Sequence, residues 1–255
     1  MIGEKAMIPR SRLREILFRS FFIQACWNVE RMQNVGFAFA LLPLLDFLPG
    51  DDDCRKAFLT RHTERFQTNP CLVGPILGSV VRQEEKGTFS QGRDHGAVRL
   101  KKVLMGPYAA LGDPFFWGAW KPFSMTLGVL LIMNGFLWGG IFSLLLYNTL
   151  HGWVRCGGFF AGYRDGRGGA DFLKKRNLPR WTVHAKTAAA VAAALYGGFL
   201  FPVTSTPGEP VLQGWMCLPA FGFVALSHVV IRRGLSTLWV VYGAALAACG
   251  LAFFL

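Results

Sequence analysis

Charge is what this chain of 255 residues has least of: 16% of it is charged and 52% is hydrophobic. A soluble domain carries roughly a quarter charged residues. The thinning is uneven. No charged residue occurs from Phe123 to Leu150, from Thr187 to Gly208, from Pro210 to Ile231 or from Gly234 to Leu255. Each run is long enough to cross a hydrocarbon core, which takes about 20 apolar residues, and together they exclude an ordinary soluble fold for the second half. Acidic side chains are scarcer than basic ones, 15 against 27, for a net charge of +12. That balance does not point to nucleic acid, because the basic residues gather beside apolar spans and the aromatics sit inside them, where cations set topology and meet anionic lipid. Cysteine is thin and scattered: Cys26, Cys54, Cys71, Cys156, Cys217 and Cys249 form no Cys-x-x-Cys or Cys/His set. This predicts neither a metal centre nor disulfide staples. Glycine-rich phosphate loops, nucleophile elbows and zinc motifs are missing as well, so no cofactor is expected. The first fifteen residues hold Glu4, Lys5, Arg10, Arg12, Arg14 and Glu15 and lack an apolar core. A cleavable signal is therefore not expected, and the N-terminus is predicted to be cytoplasmic.

What is present divides at residue 122. Residues 1–122 alternate apolar runs with charged clusters, whereas 123–255 read as transmembrane. Leu13, Ile16, Leu17 and Phe21 recur at helical spacing and predict an amphipathic helix at the membrane surface. Val35 to Phe47 is apolar as far as Asp46, and Asp51–Asp53 should cap a charged helix over about 54–66. Cys71 to Val81 is apolar but too short to span, and Leu104 to Trp120 is interrupted by Gly and Pro. Both read as re-entrant or half-membrane segments. Residues 123–150 fit one long tilted span or two half-helices joined near Asn134-Gly135 or Gly139-Gly140. The stretch 151–186 holds Arg155, Arg164, Arg167, Lys174, Lys175, Arg176, Arg180 and Lys186 against Asp165 and Asp171, which predicts a cytoplasmic loop. The connection 202–213, holding only Glu209, should be external; Arg232-Arg233 returns to the cytoplasm, and the last span carries the C-terminus out. The expected fold is all-α and polytopic, with N-terminal amphipathic and re-entrant helices and about four C-terminal transmembrane spans.

Polar groups inside apolar runs are costly in a bilayer and mark substrate paths or subunit seams. Gln24, Asn28 and Arg31, at i, i+4 and i+7, would share one helix face. With Glu30 and Trp27 beside them they could line a sugar path, the amides and carboxylate meeting hydroxyls and the indole stacking on a pyranose. They could equally form a hydrogen-bond network between helices. Gly112-Asp113-Pro114 reads as an N-cap with Pro at N1, and Asn69-Pro70 reads the same way; a helix N-terminus so placed also suits electronegative ligand atoms. Of Glu84-Glu85, one should face the protein and the other solvent. His62 is expected on a solvated face beside Glu64 and Arg65 rather than as a phosphoryl acceptor. His95, His151, His184 and His228 have no recognisable partner.

Two motifs carry a resemblance: Trp27-Asn28-x-Glu30-Arg31-Met32-Gln33-x-x-Gly36-Phe37, and Leu104-Met105-Gly106-Pro107 followed by Gly112-Asp113-Pro114 and Phe116-Trp117-Gly118. Arg19-Ser20, Arg61-His62, Phe66-x-Thr68-x-Pro70, Pro75-Ile76-Leu77-Gly78, Glu84-Glu85 and Gly162-Tyr163 fall between and after them. In this order and spacing the chain resembles, over nearly its whole length, the IID component of mannose/fructose/sorbose-type sugar phosphotransferase permeases. The resemblance implies a multi-pass subunit of a bacterial inner membrane, paired with a IIC subunit in a hetero-oligomer. It implies inward hexose transport, with phosphorylation by soluble IIA/IIB proteins that carry the phosphohistidines. This chain would then supply no catalytic residue. Its path or interface residues would be Gln24, Trp27, Asn28, Glu30, Arg31, Asn69, Glu84 and Asp113. It departs from the family pattern at Gln67-Thr68-Asn69 and Ala110-Leu111-Gly112, which bears on sugar specificity. Two rival readings stand beside this one: a non-transporting anchor or regulator with the same fold, and a membrane-embedded enzyme using Asp113 or Glu84 as an acid.

Overall fold

The computed structural model describes residues 8–48, 52–87, 96–167, 169, 172 and 177–203, with 192–203 described by backbone alone. The predicted spans over 210–231 and 234–255, and Arg232-Arg233 between them, lie outside the described residues. The chain divides into two units at Ala193/Ala194. Of the second unit, only the helical residues 194–203 are described.

The first unit is helical, and among its described residues there is no strand beyond isolated backbone bridges. Its helices are α1 Arg10–Arg19, α2 Asn34–Leu41, α3 Asp52–His62, α4 Val73–Lys86, α5 Gly96–Gly112, α6 Lys121–Met133, α7 Gly139–Asp165 and α8 Leu178–Val203, the last running across the division. α1 is amphipathic as its spacing predicts, burying Leu13, Ile16 and Leu17. α3 begins with Asp52 and Asp53 in its first turn and ends with Arg61 and His62, each sign where the helix dipole favours it.

The centre of the unit is α4. Every residue from Val73 to Val81 is buried, although the helix has 14 residues and is too short to span. It lies against α7 through two small-residue pairs that interlock. A Cβ on Gly74 would overlap the Arg155 carbonyl, and one on Gly78 the Phe159 carbonyl. From the other side, a Cβ on Gly158 would meet the Pro75 ring at 2.5 Å, and one on Gly162 would overlap the Pro75 carbonyl. Glycines spaced by four on each helix let the two backbones touch, the packing that works without a hydrophobic driving force. Ser79 seals the contact by donating its hydroxyl to the Gly162 carbonyl at 2.9 Å.

The segment Leu104–Trp120 differs from the expected broken half-helix. Helix α5 runs through Pro107, and Asp113–Trp120 winds as a π-helix directly into α6. The wider coil accommodates Pro114, which has no N–H to return to the preceding turn. The result is one helical run, Gly96–Met133, of 38 residues. It is the one run among the described residues that is long and apolar enough to cross a membrane. The compositional boundary at residue 122 falls at the start of α6 within it. For residues 123–150 the two-helix alternative applies: α6 turns at Asn134–Trp138 into α7, with Gly135 at φ +86°, a conformation that favours glycine. Gly128 and Gly139 bring the two arms together. Much of the basic stretch 151–186 is helix rather than loop, since α7 continues to Asp165 and α8 starts at Leu178. Gly166 closes α7 in the left-handed conformation, its N–H reaching the Gly162 carbonyl at 2.8 Å.

Candidate functional site

The family-like residues fall into three places. The first is a surface turn. Residues 23–33 are not helical, so Gln24, Asn28 and Arg31 do not share a helix face. The reason is local. Asn28 Oδ1 accepts the Arg31 N–H at 2.7 Å, giving the backbone an alternative to helix, and Asn28 and Met32 exchange backbone hydrogen bonds at 3.1 and 2.9 Å. Asn28 Nδ2 then reaches Asn34 Oδ1 at 2.8 Å. Met32 takes φ +61°, a left-handed conformation that an unbranched non-glycine adopts only under local constraint. Asn28 is therefore the staple of this turn. Gln24, Trp27, Glu30 and Arg31 are exposed on it, beside exposed Phe18, Phe21, Phe22 and Val29.

The second place is a junction that the turn feeds. Gln33, fully buried, clasps Thr68 at both ends: its Nε2 donates to the Thr68 carbonyl at 3.0 Å and its Oε1 accepts the Thr68 N–H at 3.1 Å. The Gln33 N–H goes to the Phe66 carbonyl at 2.9 Å. This delivers Asn69, which caps the helical turn Pro70–Leu72 by accepting the Cys71 N–H at 3.0 Å, with Pro70 at the first helical position. Its Nδ2 donates to Asp113 Oδ1 at 2.8 Å. Gly112 permits the approach, because a Cβ there would meet the Asn69 side chain at 2.4–2.7 Å in open conflict with it. The two Asx-Pro motifs thus meet each other. Asn69 has the capping role expected of it. Asp113 does not: its helix is already running, no N-terminal amides are free, and the carboxylate faces Asn69 instead.

The third place is the end of α4. Glu84 and Glu85 are both buried, at 4% and 7% exposure, where one solvated partner was expected. They turn in opposite directions. Glu84 binds Arg61 Nη2 at 2.6 Å and His62 Nε2 at 2.9 Å. Glu85 accepts the Ile8 N–H at 2.8 Å and the Tyr163 hydroxyl at 2.9 Å. His62 is accordingly buried, not solvated: its ring lies between Phe37 and Phe58, and its carbonyl accepts from buried Lys101 at 3.2 Å. Burial lowers the His62 pKa below its ordinary 6.5, outweighing the opposing pull of Glu84. With both Glu84 oxygens engaged, this carboxylate has the geometry of a structural clamp rather than of an acid awaiting substrate.

The structure thus brings Asn69 and Asp113 together, keeps Glu84 apart from them, and sets Gln24, Trp27, Glu30 and Arg31 on the surface. Sequence reasoning passed over Gln33, Thr68 and Arg155. Gln33 and Thr68 lie inside the family-like motifs. Arg155, counted among the loop cations, sits inside α7 at 1% exposure. Its only signal was a charge within a glycine-rich apolar helix.

The description of the mannose/fructose/sorbose family IID component of the phosphotransferase system matches residues 7–200. The chain is 38% identical over 161 residues to the mannose-specific EIID component of Escherichia coli (strain K12), covering 62% of this chain and 57% of that relative. It is 32% identical over 160 residues to the fructose permease IID component of Bacillus subtilis (strain 168), covering 62% and 58%. The matched stretch therefore spans little more than half the length of these curated relatives. Among solved structures, the chain is similar to one from the mannose transporter ManYZ bound to microcin E492, with TM-score 0.60, 28% identity and 97% of each chain covered. A second, described as a membrane protein, gives TM-score 0.73 at 28% identity, over 98% of this chain and 97% of the other. On these matches, the chain belongs to the mannose/fructose/sorbose family of phosphotransferase-system IID components.

Proposed function

We propose that this chain is the IID subunit of a phosphoenolpyruvate-dependent permease, a multi-pass protein of the bacterial inner membrane that pairs with a IIC subunit to pass a hexose inward. Soluble IIA/IIB proteins would phosphorylate the sugar, and this chain would hold no phosphoryl group. The observation that carries the reading is the Asn69–Asp113 contact. It places an amide and a carboxylate where the membrane-length helix widens, in a chain of this family. Asn69, buried with both ends of its amide engaged, holds Asp113 in place, and the exposed Asp113 carboxylate offers acceptors matched to sugar hydroxyls. The exposed turn with Gln24, Trp27, Glu30 and Arg31 has a different character: a tryptophan and an arginine among exposed phenylalanines is the composition of a subunit interface. In this proposal the turn docks the IIC partner and the junction serves the sugar. The basic stretch before α8 faces the cytoplasm, where the soluble carriers are.

The test is phosphoenolpyruvate-dependent sugar uptake in vesicles containing the IIC partner and the soluble carriers, with and without this chain. Uptake should require the chain, and no acid-labile phosphate should form on it. Uptake of equal rate without it would favour the non-transporting anchor. Phosphate on it that vanishes in His62→Gln would revive the enzyme reading.

A further inference from the structure

Arg155 is among the largest fully buried side chains of the described residues, and no carboxylate there pairs with it. Its guanidinium donates instead to two backbone carbonyls, Ser20 O at 3.2 Å and Pro70 O, while lying 4.7 Å above the Phe21 ring. Nε has no partner. An arginine buried without a counter-charge costs stability, so its place here calls for a geometric reason. The two carbonyls supply it. Ser20 closes α1 and precedes the turn at 23–33; Pro70 opens the helical turn before α4 and adjoins Asn69. These carbonyls lie 135 and 85 residues from Arg155 in sequence. A planar fork with fixed donor directions can hold two such points at a set separation, which a lysine ammonium cannot. The backbone of Arg155 is anchored in turn, because Gly74 of α4 packs against its carbonyl.

We propose that Arg155 is the positioning residue of the transport path. It fixes the start of α4 against the end of α1 and so sets Asn69 where it meets Asp113. This rests on the reading of the chain as a transport subunit, and the experiment separates the two claims. The full complex with IIC is prepared with wild-type chain, Arg155→Lys and Arg155→Gln, each with every cysteine except Cys71 changed to serine. Cys71 follows Pro70 and is 2% exposed, so its reaction with a membrane-permeant maleimide reports on the start of α4. Arg155→Lys should assemble at the wild-type yield. It should raise the KM for sugar about ten-fold, the size of one lost charge-assisted hydrogen bond, with Vmax within about two-fold. Cys71 should react about ten-fold faster, and adding Asn69→Ala should raise KM little further, since both changes act on one contact. Arg155→Gln should show the same pattern more strongly. Wild-type KM and a protected Cys71 in Arg155→Lys would overturn the proposal. So would a lower yield with unchanged KM, which is the mark of a purely structural arginine. If the wild-type complex moves no sugar, the transport reading fails. The Cys71 rates then still decide whether Arg155 holds the start of α4.

Discussion

At the turn of residues 23–33, Gln24, Trp27, Glu30 and Arg31 stand in the open. At the junction of residues 66–71, Thr68, Asn69, Pro70 and Cys71 are sealed. The two regions carry related side chains in neighbouring stretches of an apolar chain, and Gln33 bonds one to the other. They differ in what the backbone leaves for the side chains to do. In the turn the backbone bonds to itself and to Asn28, so the exposed Gln24 and Trp27 and the loosely paired Glu30 and Arg31 face outward, where another molecule can reach them. In the junction the buried amides are already committed, Asn69 to a cap and to Asp113, Gln33 to Thr68, and the exposed Asp113 carboxylate is left to meet a ligand. A polar residue inside an apolar run is therefore not one kind of signal. It marks a seam where its neighbours satisfy the backbone, and a fixed internal contact where it must satisfy the backbone itself.

The largest effect is expected through α4, which holds the junction in place. Gly78→Leu drives a side chain into the Phe159 carbonyl and should abolish recovery of folded complex, an overpacking cost of about 3 kcal/mol or more. Gly152→Leu, in α7 with open space around it, should leave yield unchanged by size-exclusion chromatography. Glu84→Ala comes next. It strands Arg61, whose side chain is 11% exposed, and should cost roughly 3 kcal/mol in detergent unfolding. Asn69→Ala removes the cap and frees Asp113. About 1 kcal/mol is expected from the cap, read as a lower melting temperature. The turn variants Glu30→Leu and Arg31→Leu, both exposed, should leave that melt within about 0.5 kcal/mol of wild type.

The smallest effect expected is one of pH. His62 has a native pKa lowered by burial, so on acidification the unfolded chain takes up its proton before the folded one. The stability this group contributes is complete above its ordinary 6.5 and is lost as pH falls toward the lowered native value. Melting temperature should therefore drop between about pH 7.5 and 5.5 in the wild type. The drop should be shallower in His62→Gln, which removes the titrating group. Sugar phosphorylation by His62→Gln complex should persist, because the ring's contacts are Glu84 and two phenylalanines.

Much of this architecture was legible in the sequence. The buried face of α1, the acidic start of α3 and the Asn69 cap each follow from local chemistry, whereas the turn at residues 134–138 was one of several alternatives that hydropathy left open. Four features were not. The helix through 24–31 was expected from spacing, and Asn28 overrode it by bonding to the backbone. The break at Pro114 was expected from proline's missing donor, and the π-helix absorbed it without interruption. His62 read as solvated, and one of Glu84-Glu85 as solvated beside an inward partner, because charged neighbours surround them in sequence. Their partners, Arg61, Tyr163 and Ile8, come from other elements. Arg155 read as a topology signal because its bonds reach residues 20 and 70. Local grammar reports on capping and periodicity, whereas contacts across 20 to 135 residues are set by packing and leave little trace in composition.

The most direct test of the account compares the two regions in one assay. In the reconstituted complex, affinity for IIC and the KM for sugar are measured for Glu30→Leu with Trp27→Ala at the turn and for Asp113→Leu at the junction. The account predicts a crossed pattern: the turn variant loses IIC affinity and, once assembled, keeps its sugar KM, whereas Asp113→Leu assembles normally and its KM rises. The reverse pattern, with sugar KM moved by the turn and assembly by Asp113, would contradict it.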